Sequence, residues 1–417
     1  MHISHLYLEP KIDQKKGALS CNATIYVESA EEQLYFYLNS KLKINKMFFE
    51  HDGKKINLDY TIQAPSEDFF INKSVKIIVG IDSKYIKKTD FKVFLEYAGK
   101  LEYDDWGTNY ITEEAIELAL YVAWFPIMEL ESRPTFEVKI HSPADFEWIV
   151  NGVERKNNEK NIFEFYNNTG SNDVVIIGMD SSKIIKDSTD IFWGWCENYK
   201  NYKTIEEDLQ KVKILMKKWY GEPHNDQLKI VLVPRKQGGA YVRGSLIVTQ
   251  SDMDEVYFNE KKEWLIHGWA HEIAHKWFCY ASVATFDNWL DEAMAEFSSL
   301  LVCKELYGEE HLESYLEIVK ERMKKEDDLP AIKDIKRSHP KATMVFYYWG
   351  TLVLMDIHSK IGDTKFKQVL KDFSQKSIEM ESVVTTDFTA SLNKITGEDW
   401  STLINKKISE KPHYYVI

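Results

Sequence analysis

Two histidines and a glutamate occupy a spacing that suits metal chemistry in the segment His271-Glu272-Ile273-Ala274-His275, an HExxH motif. Residues four apart on a helix lie one turn apart on the same face, so the two imidazoles can bind one Zn²⁺ ion together. Glu272 lies beside the first histidine, where a general base for a zinc-activated water belongs. The motif therefore predicts a zinc-dependent hydrolase.

A third ligand is expected, because a catalytic zinc usually has three protein ligands and one open position. Glu292 is the candidate: 16 residues separate it from His275, and its segment Trp289-Leu290-Asp291-Glu292-Ala293 is predicted to lie on the next helix. The alternative for Glu292 is an exposed acid near a helix start, where the helix dipole favours negative charge. We expect His271, His275 and Glu292 to bind one zinc ion per chain.

Three further residues lie one turn from these positions. His267 precedes His271 and is expected to pack beside the site, because the three ligands already fill it. Glu296 follows Glu292 and is a candidate to hold a ligand imidazole through its second ring nitrogen, the alternative being a surface charge. Cys279 is expected to be a buried structural thiol.

The two zinc segments resemble those of the aminopeptidase N-like zinc metallopeptidases, a branch of the gluzincins, in which HExxH-x-W-F-G-N precedes W-L-N-E-G-F-A. The segment Tyr347-Tyr348-Trp349-Gly350 is similar to the family's Y-x-K-G. The resemblance implies that Tyr347 hydrogen-bonds the developing oxyanion, as the catalytic partner of Glu272. Weaker similarities extend the resemblance over most of the chain, at Tyr97–Leu101, Trp124–Pro126 and Asp387–Trp400.

The substrate-binding strand of the family, G-x-M-E-N, matches this chain only in part. Gly239 and Ala240 are retained, which implies backbone pairing with an extended peptide. Val242 stands where the family has the glutamate that binds a substrate amine, and Arg243 follows it. Arg243 would repel an ammonium group and is a candidate to bind a carboxylate, the alternative being a solvated loop arginine.

The resemblance implies an aminopeptidase-like enzyme that hydrolyses peptide bonds in peptides or proteins. Glu117 matches a second amine-binding position of the family, its alternative being a plain surface acid. Because Val242 replaces the amine-binding glutamate, an endopeptidase or a hydrolase of modified peptides is the alternative enzyme. A catalytically silent scaffold on the same fold is the rival from another class. We also expect a short form without the family's helical C-terminal domain, whose cleft is either more open on that side or closed by a partner subunit of a homo-oligomer.

Composition excludes other classes of protein. The chain has 417 residues, 44% of them hydrophobic, and a formal net charge of −13. The hydrophobic content excludes a disordered protein, and the acidity argues against partners such as nucleic acids. No secretory signal or membrane span is visible, and four scattered cysteines are typical of a reducing compartment, so we expect a cytoplasmic protein with no membrane partner.

The elements that carry these residues divide into two kinds. β-Branched and aromatic runs separated by turn clusters predict an antiparallel β-domain over residues 1–181. From residue 190 helical patterns dominate, beginning with a helix that Thr204 is expected to cap. We therefore predict an α+β multidomain fold, with the N-terminal antiparallel β-domain followed by a mainly α, thermolysin-like zinc metallopeptidase domain at 190–417. The predicted strands are Ala23–Glu28, Gln33–Leu38, Phe69–Val79, Phe91–Tyr97, Thr135–Ile140, Asn161–Tyr166, Asp173–Gly178 and Lys229–Val233.

Overall fold

A computed structural model describes most of the chain. The described residues are 2–28, 33–51, 53–65, 71, 73–82, 85, 91–103, 107–128, 132–142, 145–157, 159–186, 192–195, 199–223, 227–235, 239–251, 262–380 and 382–412. Cys196 and part of the predicted strand Phe69–Val79 lie outside these residues. Contacts divide the chain into two compact units, which are described one at a time below.

Strands dominate the first half of the described chain. In chain order they are β1 His2–Asp13, β2 Ala18–Glu28, β3 Gln33–Asn39, β4 Lys43–His51, β5 Lys54–Asn57, β6 Tyr60–Gln63, β7 Ser74–Gly80, β8 Phe91–Lys100, β9 Tyr110–Ile111, β10 Ala115–Leu118, β11 Thr135–His141, β12 Phe146–Val150, β13 Val153–Arg155, β14 Ile162–Asn167, β15 Ile176–Asp180, β16 Ile184–Lys186, β17 Phe192–Trp195, β18 Lys229–Val233, β19 Tyr241–Arg243 and β20 Leu246–Gln250.

Unit 1 comprises Met1–Glu197, Ile230–Gly239 and Val248–Asp252. Its largest sheet has the order β13-β14-β11-β1-β2-β8-β4-β5, and two smaller sheets have the orders β12-β15-β10-β9 and β3-β7-β6. Alternate residues of β2 point into the core, as the period of a strand requires. Within the described strands of these three sheets, pairing is antiparallel except between β1 and β11, where His5 is opposite Thr135. The predicted antiparallel-rich β-domain is confirmed.

A five-stranded sheet contains the strands that follow. Its order is β16-β17-β18-β20-β19, with β17 and β18 parallel and β19 at one end. Residues 230–239 and 248–252 belong to unit 1, although they come after the predicted boundary at 181–190. The exact division at 181 and 190 therefore stays a prediction.

Unit 2 comprises Asn198–Lys229, Ala240–Ile247 and Met253–Ile417, and its described part is mainly helical. The first helix begins at Tyr199, five residues before Thr204, which therefore does not cap it. The α-helices are α1 Tyr199–Tyr220, α2 Lys262–Ala274, α3 Trp289–Tyr307, α4 Glu309–Lys324, α5 Gly350–Ile361, α6 Asp363–Ser377, α7 Thr385–Thr396 and α8 Ser401–Ser409. The predicted α+β fold is confirmed.

Helices α2 and α3 are buried on most of their surface, and they pack against each other. Such helices belong in the interior of a domain, because an apolar surface on all sides must be covered. Three fully buried tryptophans, Trp269, Trp277 and Trp289, belong to these helices and the turn after α2. Polar side chains on α2 and α3 are therefore held in surroundings from which water is largely excluded.

A π-helical segment, Thr343–Trp349, leads directly into α5. Gly350, the first residue of α5, lies against α3: a Cβ atom at this position would be 2.8 Å from Cβ of Ala293. Glycine therefore permits the close approach of the two helices. None of the helices in the described part of the chain combines the length and apolar character that a bilayer crossing requires.

Candidate active site

Three ligand-type atoms in unit 2 form a small triangle. Nε2 of His271 lies 3.2 Å from Nε2 of His275, and Oε2 of Glu292 lies 3.4 Å from the first and 3.5 Å from the second. Two ligands of a tetrahedral zinc, each about 2.0–2.1 Å from the metal, are about 3.3–3.4 Å apart. The triangle therefore has the dimensions of a zinc ligand set.

The histidine rings are oriented by hydrogen bonds at their other nitrogens. Nδ1 of His275 donates to the carbonyl oxygen of Phe278 at 2.8 Å, and Nδ1 of His271 donates to Oε2 of Glu296 at 2.7 Å. A carbonyl oxygen only accepts, so the proton of a neutral His275 is on Nδ1 and the lone pair is on Nε2. Both Nε2 lone pairs are thus turned toward Glu292, as metal binding requires.

Helix geometry and one carboxylate set the positions of these ligands. Helix α2 ends at Ala274, and the chain turns on through His275, with the Trp277 amide donating to the Ala274 carbonyl at 2.9 Å. The carboxylate of Asp291 accepts from the Ala281 amide at 3.2 Å. Asp291 therefore ties the chain that follows HExxH to the start of α3, directly beside Glu292.

Charges in the site favour a cation. Burial acts to lower the pKa of His271, but the adjacent carboxylates of Glu292 and Glu296 outweigh it and raise the pKa to about 10. Burial acts to raise the pKa of Glu292, but Arg337 and the two imidazoles outweigh it and hold the pKa well below its usual value. Oε2 of Glu292 is buried and makes no hydrogen bond of ordinary geometry within the described residues. A metal ion would satisfy this atom.

Arg337 and Tyr347 complete the described surroundings of Glu292. Nη1 of Arg337 lies 3.2 Å from Oε1 of Glu292, and its Nη2 donates to the Tyr347 hydroxyl at 2.8 Å. The Tyr347 ring stacks on the His271 ring, with centroids 5.2 Å apart and planes 6° from parallel. Burial and the nearby Glu292 raise the pKa of Tyr347 well above its usual value, so the phenol is a neutral donor.

Tyr347 reaches this position through the π-helical segment. The Gly350 amide donates to the carbonyl oxygen of Val345, five residues back, which is the bond that defines a π turn. Single π turns inside helices occur often at functional sites. The half-buried Glu272 follows His271 on α2, within the described helix.

The predicted substrate-binding residues belong to two different units. Glu117, on β10 in unit 1, is fully buried, and its Oε2 lies 3.4 Å from Nε of the buried Arg235. Arg235 also donates from Nη2 to the carbonyl oxygen of Gly239 at 2.7 Å. Glu117 is therefore not a plain surface acid but half of a buried ion pair.

Ala240 and Arg243 belong to unit 2. Ala240 immediately precedes β19, the terminal strand of its sheet, and β19 contacts helix α2. Nη1 of Arg243 donates to the carbonyl of Val242 at 2.7 Å, and its guanidinium lies 5.3 Å from the centre of the Tyr241 ring. Arg243 is thus held along its own strand.

Two residues, one in the site and one beside it, were not predicted from the sequence. Arg337 lies in a loop without a recognisable motif, and no spacing rule relates it to Glu292 or Tyr347. Nε2 of His311 on α4 lies 2.8 Å from Nδ1 of His267, but the two residues are 44 positions apart in the sequence. Helix periodicity predicts contacts only between residues of the same helix, so it could predict neither Arg337 nor His311.

Comparisons with known proteins show what this chain is similar to. Residues 205–407 match the model of the peptidase family M1 domain. The fold is similar to that of an M1 zinc metallopeptidase from Deinococcus radiodurans, with a TM-score of 0.74 and 16% identity over 99% of this chain and 94% of that chain. It is also similar to yeast LTA4 hydrolase, with a TM-score of 0.77 and 15% identity over 99% of this chain and 68% of that chain.

The comparison with curated proteins finds no match. At 15–16% identity the structural likeness describes the fold, and the domain match is confined to residues 205–407. The resemblance to the aminopeptidase N-like zinc metallopeptidases is thus confirmed for this segment by the match to the peptidase family M1 domain, and it implies a single catalytic zinc ion.

Proposed function

We propose that this protein is a zinc-dependent peptidase in which His271, His275 and Glu292 bind the metal. The observation that carries the proposal is the triangle of two Nε2 atoms and one Oε2 atom with sides of 3.2–3.5 Å. Support comes from the hydrogen bonds that turn both imidazole lone pairs toward Glu292. The M1 domain match agrees with this ligand set.

Each catalytic step is assigned to a group of this chain. Zinc, when bound, acts as a Lewis acid on the scissile carbonyl and lowers the pKa of water. The Glu272 carboxylate takes the proton of the attacking water and delivers it to the leaving amine. The Tyr347 hydroxyl donates a hydrogen bond to the carbonyl oxygen as negative charge develops there. Arg337 holds the Tyr347 oxygen and adds positive charge beside it.

A peptide is the substrate that the surroundings favour. Strand β19 is the terminal strand of its sheet and contacts the helix that carries HExxH. An extended peptide could add to such a strand through backbone hydrogen bonds, with Gly239 and Ala240 at its start. A similar M1 zinc metallopeptidase has been crystallised as a mutant with a Tyr-Ser-Ala substrate. Aminopeptidase-like action on peptides is therefore the first candidate activity.

A second candidate is cleavage inside a peptide, or of a peptide whose amine is modified. Two observations favour it: Val242 carries no charge for an ammonium group, and Glu117 is paired with Arg235 inside unit 1. A carboxylate that already neutralises a buried arginine offers less attraction to a substrate amine. Arg243 remains a candidate for binding a substrate carboxylate.

The deciding experiment incubates the zinc-loaded protein with a mixed peptide library and identifies the products by mass spectrometry. Stepwise loss of N-terminal residues supports the aminopeptidase, and internal cuts support the second candidate. Glu272→Gln should abolish all cleavage while zinc content stays at the wild-type level, because this residue moves protons and does not bind metal. Zinc binding without any cleavage by the wild-type protein would favour the scaffold and overturn the peptidase proposal.

Two expectations from the sequence concern assembly and location. A homo-oligomer that closes the active-site cleft and a cytoplasmic location both stay predictions. Sedimentation of the purified protein tests the first, and localisation of the tagged full chain tests the second.

A further inference from the structure

A second cluster of metal-ligand residues lies beside Glu296 in unit 2. His267 on α2, Cys303 on α3 and His311 on α4 are all buried. One ring nitrogen of each histidine and Sγ of Cys303 lie within 4.8 Å of one another. None of these residues serves the proposed peptidase chemistry.

We propose that His267, Cys303 and His311 form a second zinc site, distinct from the catalytic one. Imidazole nitrogen and thiolate sulfur are donors that Zn²⁺ prefers in proteins. The three ligands come from three successive helices. A metal at this position would therefore connect α2, α3 and α4.

The hydrogen bonds of Glu296 give the first support for this site. Its Oε2 accepts from Nδ1 of His271 at 2.7 Å, and its Oε1 accepts from Nε2 of His267 at 3.1 Å. A carboxylate–histidine–metal arrangement is the usual way in which proteins orient a ligand ring. Glu296 orients the His271 ring in this way for the catalytic site, and its other oxygen orients the His267 ring in the same way.

The protonation pattern of His311 gives the second support. Because Nε2 of His267 donates to Glu296, the lone pair of His267 is on Nδ1, which lies 2.8 Å from Nε2 of His311. Without a metal, His311 must donate a hydrogen bond from Nε2 to Nδ1 of His267. The Nδ1 atom of a neutral His311 then carries a lone pair, and it lies 3.6 Å from the carboxylate of Glu263. Nδ1 is buried and has no hydrogen-bond partner among the described residues. The lone pair on Nδ1 of His311 and those of the Glu263 carboxylate repel each other, so this arrangement is unfavourable.

A metal would reverse this pattern. With its Nε2 lone pair on the metal, His311 would carry its proton on Nδ1 and direct it toward Glu263, as His267 already does toward Glu296. The two rings would separate only slightly, from 2.8 Å to the roughly 3.3 Å between two nitrogen ligands of zinc.

The thiol of Cys303 gives the third support. Its Sγ makes one weak contact, 3.9 Å from the backbone carbonyl of Glu263, within the described part of the chain. Aromatic rings pack around the histidines: Trp264 lies 4.6 Å from His311, and Tyr315 stacks on His267 at 5.3 Å between centroids. Such an apolar shell excludes competing water, and a bound cation would replace the thiol proton.

The proposal is tested by metal content and by a spectrum that does not depend on activity. The full-length protein is stripped with a chelator, reloaded with Zn²⁺ or Co²⁺, desalted and analysed for metal and protein. We expect two metal ions per chain in the wild type and one in Cys303→Ser. A second variant, His275→Ala, should also hold one, because it removes only a proposed catalytic ligand.

The cobalt form distinguishes the two sites. The catalytic ligands include no sulfur, so a near-ultraviolet thiolate-to-cobalt charge-transfer band reports the second site alone. The band should be present in the wild type and in the matched control Cys279→Ser, and absent from Cys303→Ser. One metal per chain and no band in the folded wild-type protein would overturn the proposal, as would a band that survives in Cys303→Ser. The wild-type measurement does not depend on whether any variant folds, and peptide cleavage has no part in it.

Discussion

Arg337 donates a 2.8 Å hydrogen bond from Nη2 to the hydroxyl oxygen of Tyr347. Because an arginine can only donate, the tyrosine oxygen is the acceptor, and the phenolic proton is left for another partner. The other guanidinium nitrogen, Nη1, lies 3.2 Å from Oε1 of Glu292. Arg337 thus contacts both Tyr347, the proposed oxyanion donor, and Glu292, the proposed third zinc ligand.

Removal of the Tyr347 hydroxyl should slow catalysis without weakening substrate binding. We expect Tyr347→Phe to lower kcat by about 10²–10³-fold with little change in KM, because the donor acts on charge that develops only in the transition state. Steady-state kinetics on a peptide found in the library screen gives both values. Tyr348→Phe is the matched control, since its hydroxyl contacts Arg322 and it should keep near wild-type kcat. Equal losses in both variants would contradict the assigned role.

A lysine in place of Arg337 should retain the charge but lose the two-point contact. A guanidinium presents donors in a fixed fork, whereas one ammonium group cannot reproduce its placement on Glu292 and Tyr347. We expect Arg337→Lys to reduce kcat about tenfold while zinc content stays unchanged. Arg322→Lys, which alters the neighbouring contact with Tyr348, is the control. Unchanged kcat in Arg337→Lys would show that the fork has no role.

Glu296 should contribute to zinc affinity through His271. The glutamine side chain has one oxygen, so Glu296→Gln can accept from only one of the two rings that the carboxylate serves. We expect the Kd of the catalytic zinc to rise about 10–100-fold, as measured by competition with a chelator. Ser299→Ala is the control, because Ser299 bonds only the backbone carbonyl of Glu296. Unchanged affinity in Glu296→Gln would refute the contribution.

The close approach of α5 to α3 makes Gly350 sensitive to substitution. A Cβ at this position would lie 2.8 Å from Cβ of Ala293, next to Glu292 in the chain, so Gly350→Ala must displace one of the helices. We expect a loss of about 1–3 kcal/mol in the free energy of unfolding and a lower kcat, because Tyr347 moves with α5. Denaturant titration measures the first quantity.

Gly268→Ala on α2 is the opposite case. A Cβ there would meet no atom within 4 Å, so alanine should stabilise the helix by up to about 1 kcal/mol. Destabilisation by Gly268→Ala as large as that by Gly350→Ala would contradict the assignment of the Gly350 effect to the contact with Ala293.

Acid stability should depend in part on Asp372, which connects α6 and α7. Its carboxylate lies 2.6 Å from Nζ of Lys376 and 2.5 Å from Nζ of Lys394. Burial acts to raise the pKa of Asp372, but the two lysines outweigh it and lower the pKa from 3.8 to about 2. A lowered pKa stabilises the folded state above the unfolded value, and this contribution is lost as pH falls from 3.8 toward 2.

We expect Asp372→Asn to cost about 1–2 kcal/mol at neutral pH, after allowance for solvent screening, and almost nothing near pH 2. Unfolding free energies at a series of pH values measure the difference. Glu379→Gln, an exposed acid two residues beyond α6, is the control. A constant difference at every pH would contradict the assignment.

Local patterns predicted much of the fold, and long-range pairing accounts for what they missed. Alternating runs such as Gln33–Leu38 and Thr135–Ile140 correspond to β3 and β11 within a residue. Strand β1, His2–Asp13, was not predicted, although it lies between β2 and β11 in the large sheet. Its strand contains Pro10 and several charges, and its pairing with β11 joins residues about 130 positions apart. Periodicity within one segment carries no information about such a partner.

The same contrast applies to the site. Helix period relates His271 to His275, and the segment Trp289–Ala293, which resembles a family motif, made Glu292 the candidate third ligand. Arg337 and His311 were not predicted, because a loop and a separate helix bring them in through tertiary packing. The predicted start of the first helix was wrong by six residues, since a helix capped by Thr204 begins at Ile205 and the observed helix begins at Tyr199, where no capping pattern was recognised.

The buried tryptophans of unit 2 give the protein an internal optical probe. Trp269 lies two residues before His271, Trp277 two residues after His275, and Trp289 three residues before Glu292. Each indole is shielded from water, so its emission responds to the electric field inside the domain rather than to the solvent. A cation that enters among the three proposed ligands changes that field. Intrinsic fluorescence can therefore follow the loading and stripping of the metal in real time, with no label and no substrate.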